Sequence, residues 1–192
     1  MTLLLLPLQT QAAAWWLSMS TGSGVVQLVE TLEEPEMHIS APWVLAVDLR
    51  SSEGAVPLRV RLQYSSARVV GTTKVSGTHV DGWLDTASVF LFGEGAREWG
   101  RWHLSWGAGP GLGVEALMES AERGGRAQAR VDVSARVGLA FAVNERMRVG
   151  LDVSALLSDV PRAVAYVLGA WPGQNGGEDV SAFVSMSFEV GL

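Results

Sequence analysis

The sequence predicts an all-β chain folded as an eight-stranded antiparallel up-and-down barrel, and three observations carry that prediction. Apolar residues recur at every second position over long stretches, which marks strands with two unlike faces. The links between those stretches alternate between short and long, as in a meander of hairpins. No stretch shows a helical period, and none reaches the run of about 18 apolar residues that a spanning helix needs, although mean hydropathy is +0.22 and only 18% of the 192 residues are charged.

The first charged residue is Glu30. Ahead of it, Leu3, Leu4, Leu5, Leu6, Pro7 and Leu8 followed by Ala12, Ala13 and Ala14 read as the back half of a truncated secretory signal over 1–14. Cleavage is expected after Ala14, which leaves a barrel domain over 15–192. A first strand spans about 15–21. In the link at 22–42, Val25, Val26, Leu28 and Val29 suit a hairpin extension toward a turn at Glu33, Glu34, Pro35 and Glu36. In 43–50, Trp43, Leu45, Val47 and Leu49 oppose Asp48 and Arg50. After a short turn at 51–55, Val56, Leu58, Val60, Leu62 and Tyr64 alternate with Arg59, Arg61 and Gln63. A long link at 65–81 leads to the ambiguous strand, 83–92, where Asp85 shares the parity of Val89 and Leu91.

A short turn is expected at 93–98. Beyond it, Trp102, Leu104, Trp106, Ala108, Leu112 and Val114 oppose His103, Ser105, Gly107, Gly109, Gly111, Gly113 and Glu115. A long link at 118–126 precedes 127–143, where odd-numbered Ala, Val, Leu and Phe face away from Gln128, Arg130, Asp132, Ser134, Arg136 and Gly138. After a turn at 144–146, Met147, Val149, Leu151 and Val153 oppose Arg148, Gly150, Asp152 and Ser154. The link at 157–179 is the longest. The last segment sets Val180, Ala182, Val184, Met186, Phe188, Val190 and Leu192 against Ser181, Ser185, Ser187 and Glu189. The strand count stays open between eight and ten.

Alternation alone does not say whether the apolar face points into a core or out into lipid. A soluble barrel such as a lipocalin would bury Leu and Val and expose Arg and Asp. Four features favour the reverse, a transmembrane barrel. The polar parity of 99–117 is a row of glycines, which suits a narrow eight-stranded interior better than a solvated surface. The polar parities also mix charges at close spacing: Arg130, Asp132 and Arg136; Arg148 and Asp152; Arg59 and Arg61 against Asp48. Charges removed from water require such pairing. Large aromatics lie toward strand ends, Trp43 and Tyr64 near the long links, and Trp102, Phe90 or Phe92, Phe141 and Phe188 near the short turns. They read as two interfacial girdles. Finally, Phe188, Val190 and Leu192 keep the apolar parity to the last residue. Pro110 removes a ladder hydrogen bond in mid-strand, so a bulge or local bend is expected there.

With this pattern, residues 15–192 resemble bacterial outer-membrane β-barrel proteins, and among them the small eight-stranded class that includes OmpA-type and OmpX-type barrels. Leu192 departs from the aromatic residue that usually ends such chains. The resemblance implies the outer membrane of a Gram-negative bacterium as the location. It also implies the lipid bilayer and the outer-membrane assembly machinery as partners, with a surface partner at the long links.

Composition excludes several kinds of chemistry. With no cysteine, Cys-ligated zinc, Fe–S clusters, thiol catalysis and disulfides are ruled out. A net charge of −6, with one Lys beside thirteen Arg, argues against nucleic acid. His38, His79 and His103 are not spaced as ligands on one element, and no cofactor is expected. The glycine-rich run at 107–113 has neither the G-x-G-x-x-G spacing nor the following Lys-Ser/Thr of phosphate loops.

His103 and Ser105 form an H-x-S pair, with Glu115 later on the same parity. This is similar to outer-membrane phospholipases and lipid A deacylases, where Ser is the nucleophile, His the base and a third group orients the imidazole. Two departures count against lipid-acyl hydrolysis. The pair points into the lumen near the short-turn end, and Glu115 is about 33 Å farther along the strand. The other candidate site is the polar lumen itself, with Arg50, Arg59, Arg61, Arg101, Arg130, Arg136 and Arg148 facing Asp48, Glu115, Asp132, Asp152 and Glu189. Full pairing would plug a bore of this width, because an arginine fork can bridge two carboxylates. Partial pairing would leave a narrow channel or a small-ligand site. The function expected is a structural or surface-interaction barrel working through its long links. The first link is acidic (Glu30, Glu33, Glu34, Glu36) and the last partly apolar at 164–171. A channel or ligand-binding barrel and a lipid hydrolase are the alternatives.

Overall fold

A computed structural model describes residues 14–29, 38–51, 57–72, 79–119, 126–158 and 178–192. Its strands are β1 (Trp15–Val29), β2 (His38–Ile39), β3 (Trp43–Ser51), β4 (Leu58–Thr72), β5 (His79–Trp99), β6 (Trp102–Glu119), β7 (Arg126–Asn144), β8 (Met147–Leu157) and β9 (Glu178–Gly191). Eight of these are long. The two-residue β2 pairs with Val69 and Val70 of β4, past the point where β3 stops. Every neighbouring pair is antiparallel, β9 returns to β1, and β4–β5 pairing completes the ring. The result is a closed eight-stranded meander with no exposed sheet edge around its waist, the arrangement that satisfies backbone polar groups without solvent. No helix is long and apolar enough to cross a membrane.

The register defines the barrel's geometry. Following paired residues once round from Trp99 through Trp102, Phe141, Val149, Phe188, Met19, Val47 and Leu62 to Val89 returns to β5 ten residues from the start. That displacement corresponds to a strand tilt of about 40°. Alternation then sorts the side chains. Met19, Leu62, Leu112, Leu151 and Met186 are each more than half exposed on the outer wall, whereas Asp48, Arg59, Phe90, Phe92 and Asp132 are sealed inside.

Several details differ from the sequence expectations. The turn placed at 93–98 is strand. β5 runs on to Trp99, and the chain reverses at Gly100 and Arg101, where Gly100 takes a φ of 60°, a left-handed conformation that glycine adopts without strain. Arg101 is therefore not in the lumen. It is exposed in the turn, donating from Nε to the carbonyl of Ala142 (2.9 Å) and from Nη2 to that of Val143 (2.6 Å), over the Phe141 ring. Much of the link at 65–81 is also strand, since β4 reaches Thr72 and β5 starts at His79. Likewise β1 extends through the valines to Val29. The leader at 1–13, the acidic residues Glu30, Glu33, Glu34 and Glu36, and the apolar 164–171 lie outside the described residues.

Pro110 causes no bulge. Pairing of β5 with β6 skips Leu91 and Phe92 but resumes at Gly93↔Ala108 in the register it had at Phe90↔Gly111. Pro110 itself points outward and stays paired with Val133. The ladder loses hydrogen bonds on one side without an inserted residue. The close approach on that side is visible at Gly109, where a Cβ would lie 1.8 Å from the Leu91 carbonyl oxygen.

Outward aromatics gather at both ends of the wall. Trp102 meets Phe141 edge-on at 5.1 Å near the short turns, where Trp15, Trp99, Trp106 and Phe188 are also exposed. Trp43 meets Tyr64 at 5.2 Å toward the long links, with Trp83 farther out. At the observed tilt the two sets are roughly 25 Å apart, the height of a membrane barrel's apolar band. Phe90 and Phe92 belong to neither girdle, because both point inward and are fully buried.

Candidate functional site

The interior is built from the inward parity of all eight long strands, and it is layered. At mid-height three arginines meet three carboxylates. Arg59 Nε lies 2.6 Å from Glu94 Oε1 and its Nη1 3.5 Å from Asp48 Oδ2. Arg61 forks onto Asp48, donating from Nε to Oδ1 at 2.6 Å and from Nη2 to Oδ2 at 3.1 Å, and reaches Asp152 at 3.4 Å. Arg136 donates to Glu94 Oε1 at 2.5 Å and pairs with Asp152. Each carboxylate thus serves two arginines and each arginine two carboxylates, with every side chain almost fully buried. Adjacent strands bring Asp48 and Arg61 directly opposite, whereas Glu94 meets Arg59 on the neighbouring β4 and passes over Gly107 of β6 to Arg136 of β7.

Above this layer, toward the long links, Val44, Phe90, Phe92, Leu156 and Phe183 form an apolar cluster inside the barrel. The β6 glycines make room for it: a Cβ on Gly111 would lie 2.3 Å from the Phe90 ring. Beyond the cluster Arg130 pairs with Glu115 and Asp132, and Ser88 donates to Asp132 at 3.1 Å. A pocket of about 10 Å³, room for one water-sized centre, sits there between Pro42, Thr86, Glu115 and Arg130. On the opposite, short-turn side, Arg148 pairs with Glu98 at 2.8 Å, Arg50 Nη1 donates to His103 Nε2 at 3.1 Å, and Arg59 lies 3.8 Å from Glu189.

Of the residues proposed for the lumen, all except Arg101 therefore have partners or neighbours inside the barrel or at its mouth. The H-x-S pair does not assemble as a catalytic unit. His103 faces Arg50, Ser105 Oγ accepts from Arg136 Nη1 at 3.3 Å, and Glu115 is engaged by Arg130 at the other end of β6. Among the described residues no cluster of three metal-ligating side chains exists. The side chains of His38 and His79 are not among those described.

Glu94 is absent from the candidate residues because the sequence at 93–98 suggests a turn, whereas β5 runs through it. The parity of Ser88, Phe90 and Phe92 continues through Glu94 to Glu98, and the Trp99-Gly100-Arg101-Trp102 sequence marks the reversal. Asp85 was ambiguous for a physical reason. It does share the outward parity, and there it accepts a hydrogen bond from the Tyr64 hydroxyl at 2.9 Å.

Among solved structures, the chain is similar to Neisserial surface protein A, with a TM-score of 0.58 at 9% identity over 94% of this chain and 98% of that one. It is also similar to the outer membrane protein OprG from Pseudomonas aeruginosa, with a TM-score of 0.57 at 11% identity over 93% and 96%. The fold is that of the small eight-stranded outer-membrane barrels. No protein-family model matches the sequence, and no curated protein matches it.

Proposed function

We propose that the chain is an outer-membrane barrel of a Gram-negative bacterium that is closed to ions and works through the sheet and links projecting beyond its long-link girdle. The paired layer of Arg59, Arg61 and Arg136 with Asp48, Glu94 and Asp152 carries this reading. It fills the bore with fully matched charge, and the apolar cluster next to it offers an ion no solvation. A membrane crossing needs about ten tilted residues per strand, yet β5 has 21 and β6 has 18. The surplus stands beyond Trp43 and Tyr64 as a rigid platform for contact with other molecules. The membrane supplies lipid for the outer wall, and an assembly factor would recognise the β9 pattern. Residues 1–14 fit an export signal. Catalysis has no part in this reading, because Ser105 is bound to an arginine and faces away from acyl chains.

Two measurements test it. The refolded barrel in a planar bilayer should be electrically silent, and Arg59→Ala should introduce leak events; steady conductance by the unaltered protein would refute a closed bore. An epitope inserted between Thr72 and His79 should be reached by antibody on intact cells. Detection only after lysis would overturn the location or the orientation.

A further inference from the structure

At the short-turn end of the interior, Arg50 differs from the other interior arginines. It is 5% exposed, yet no carboxylate of the described residues forms an ion pair with it. Its one hydrogen-bond partner among the described residues is His103 Nε2, which must be the unprotonated nitrogen of a neutral ring to accept from a guanidinium. Its Nε has no partner among the described residues. Arg148 presents a second such donor: Nη2 is held by Glu98, while Nη1 is buried and unpartnered. Both guanidiniums lie over the same indole, Trp16, at 4.0 Å for Arg148 and 5.7 Å for Arg50. Two cations and two idle N–H donors therefore converge on one residue at the mouth of the bore.

A cation over an aromatic face recovers only part of what a guanidinium loses on leaving water. A bridging water could occupy a donor, but an anion is the stronger acceptor for a guanidinium N–H. Glu189 lies on β9, between β8 and β1, paired in register with Arg148 and with Ser18; its Oε1 contacts Arg59 and its Oε2 is buried without a partner among the described residues. Its carboxylate already supplies negative charge to this wall, which favours a monovalent over a divalent anion. We infer that the short-turn mouth of the lumen is a binding site for a small monovalent anion of the halide class, held between Arg50 Nε and Arg148 Nη1 against Trp16.

Chloride is the probe. For the full chain refolded in detergent micelles, with sodium gluconate keeping ionic strength constant, chloride-35 NMR should show saturable line broadening that bromide reverses. Arg50→Met should weaken the apparent affinity by about tenfold or more, the effect of losing one charge-assisted hydrogen bond. Arg130→Met, at the opposite end of the bore, should leave it unchanged. Crystals of the unaltered protein grown in sodium bromide should give an anomalous peak between Arg50 and Arg148, which requires no variant to fold. No saturable broadening, equal broadening in R50M, or bromide found elsewhere would each overturn the assignment.

Discussion

Replacing Glu94 by Gln removes one negative charge from the centre of the barrel and leaves the shape of the side chain intact. Two buried guanidiniums lose a carboxylate partner together, at 2.6 Å for Arg59 and 2.5 Å for Arg136. Taking one partner from a buried ion pair costs about 3–5 kcal/mol. Arg136 keeps Asp152, and Arg59 keeps Asp48 at 3.5 Å and Glu189 at 3.8 Å, so the low end applies, about 3 kcal/mol. Glu98→Gln is the control. It removes the same charge from an ion pair with Arg148, but Glu98 is 62% exposed, and water makes such a pair worth about 0–1 kcal/mol. Urea unfolding of both variants in lipid vesicles, followed by tryptophan fluorescence, measures the difference. If E94Q and E98Q unfold within about 0.5 kcal/mol of each other, the interior is wet enough to screen its charges, and the argument for a closed bore fails.

Three further outcomes follow from the wall. Leu151→Arg, on an outward side chain that is 55% exposed, should destabilise the barrel in vesicles by about 2–4 kcal/mol; a neutral result would mean that this face is in water. Gly111→Val must push aside the Phe90 ring, so the heat-modifiable folded band on detergent gels should be lost or strongly reduced, whereas Gly100→Ala, which meets nothing within 4 Å but has a φ of 60°, should cost only about 1 kcal/mol. Pro110→Val restores an N–H beside the interrupted Leu91–Phe92 stretch and should raise stability by about 0.5–1.5 kcal/mol, with amide exchange slowing at that position.

The sequence made the fold legible because strand parity is a local property that survives any arrangement of neighbours. Val131, Val133, Ala135, Val137 and Leu139 face outward as a set because the strand's geometry allows nothing else. Even the glycine row declared its face, since Gly111 and Gly113 are small to admit Phe90, Ser88 and Asp132. What was hidden depended on partners brought in by other strands. Nothing local distinguishes Glu94, the hub of the network, from Glu98 on the rim, because that distinction arises only when β4 and β7 bring Arg59 and Arg136 to the same level. Arg101 misled for the opposite reason. Its parity fitted the lumen, but parity has no meaning in a turn. At Pro110 the missing donor costs a hydrogen bond but not a register shift, so a proline in mid-strand does not by itself imply a bulge.

The seam between β1 and β9 runs from Trp16↔Gly191 to Val29↔Glu178, so it joins residues more than a hundred positions apart throughout its length. All other neighbours in the ring are hairpin partners that can form as soon as they meet. Closing the seam is thus the one step with a large loop-closure entropy, and until it happens β1 and β9 are bare edges. Maturation should therefore be close to all-or-none. A ribosome-stalled or truncated chain lacking β9 would present a sticky strand, and a catalyst acting on this protein would accomplish most by holding that single pair of edges in line.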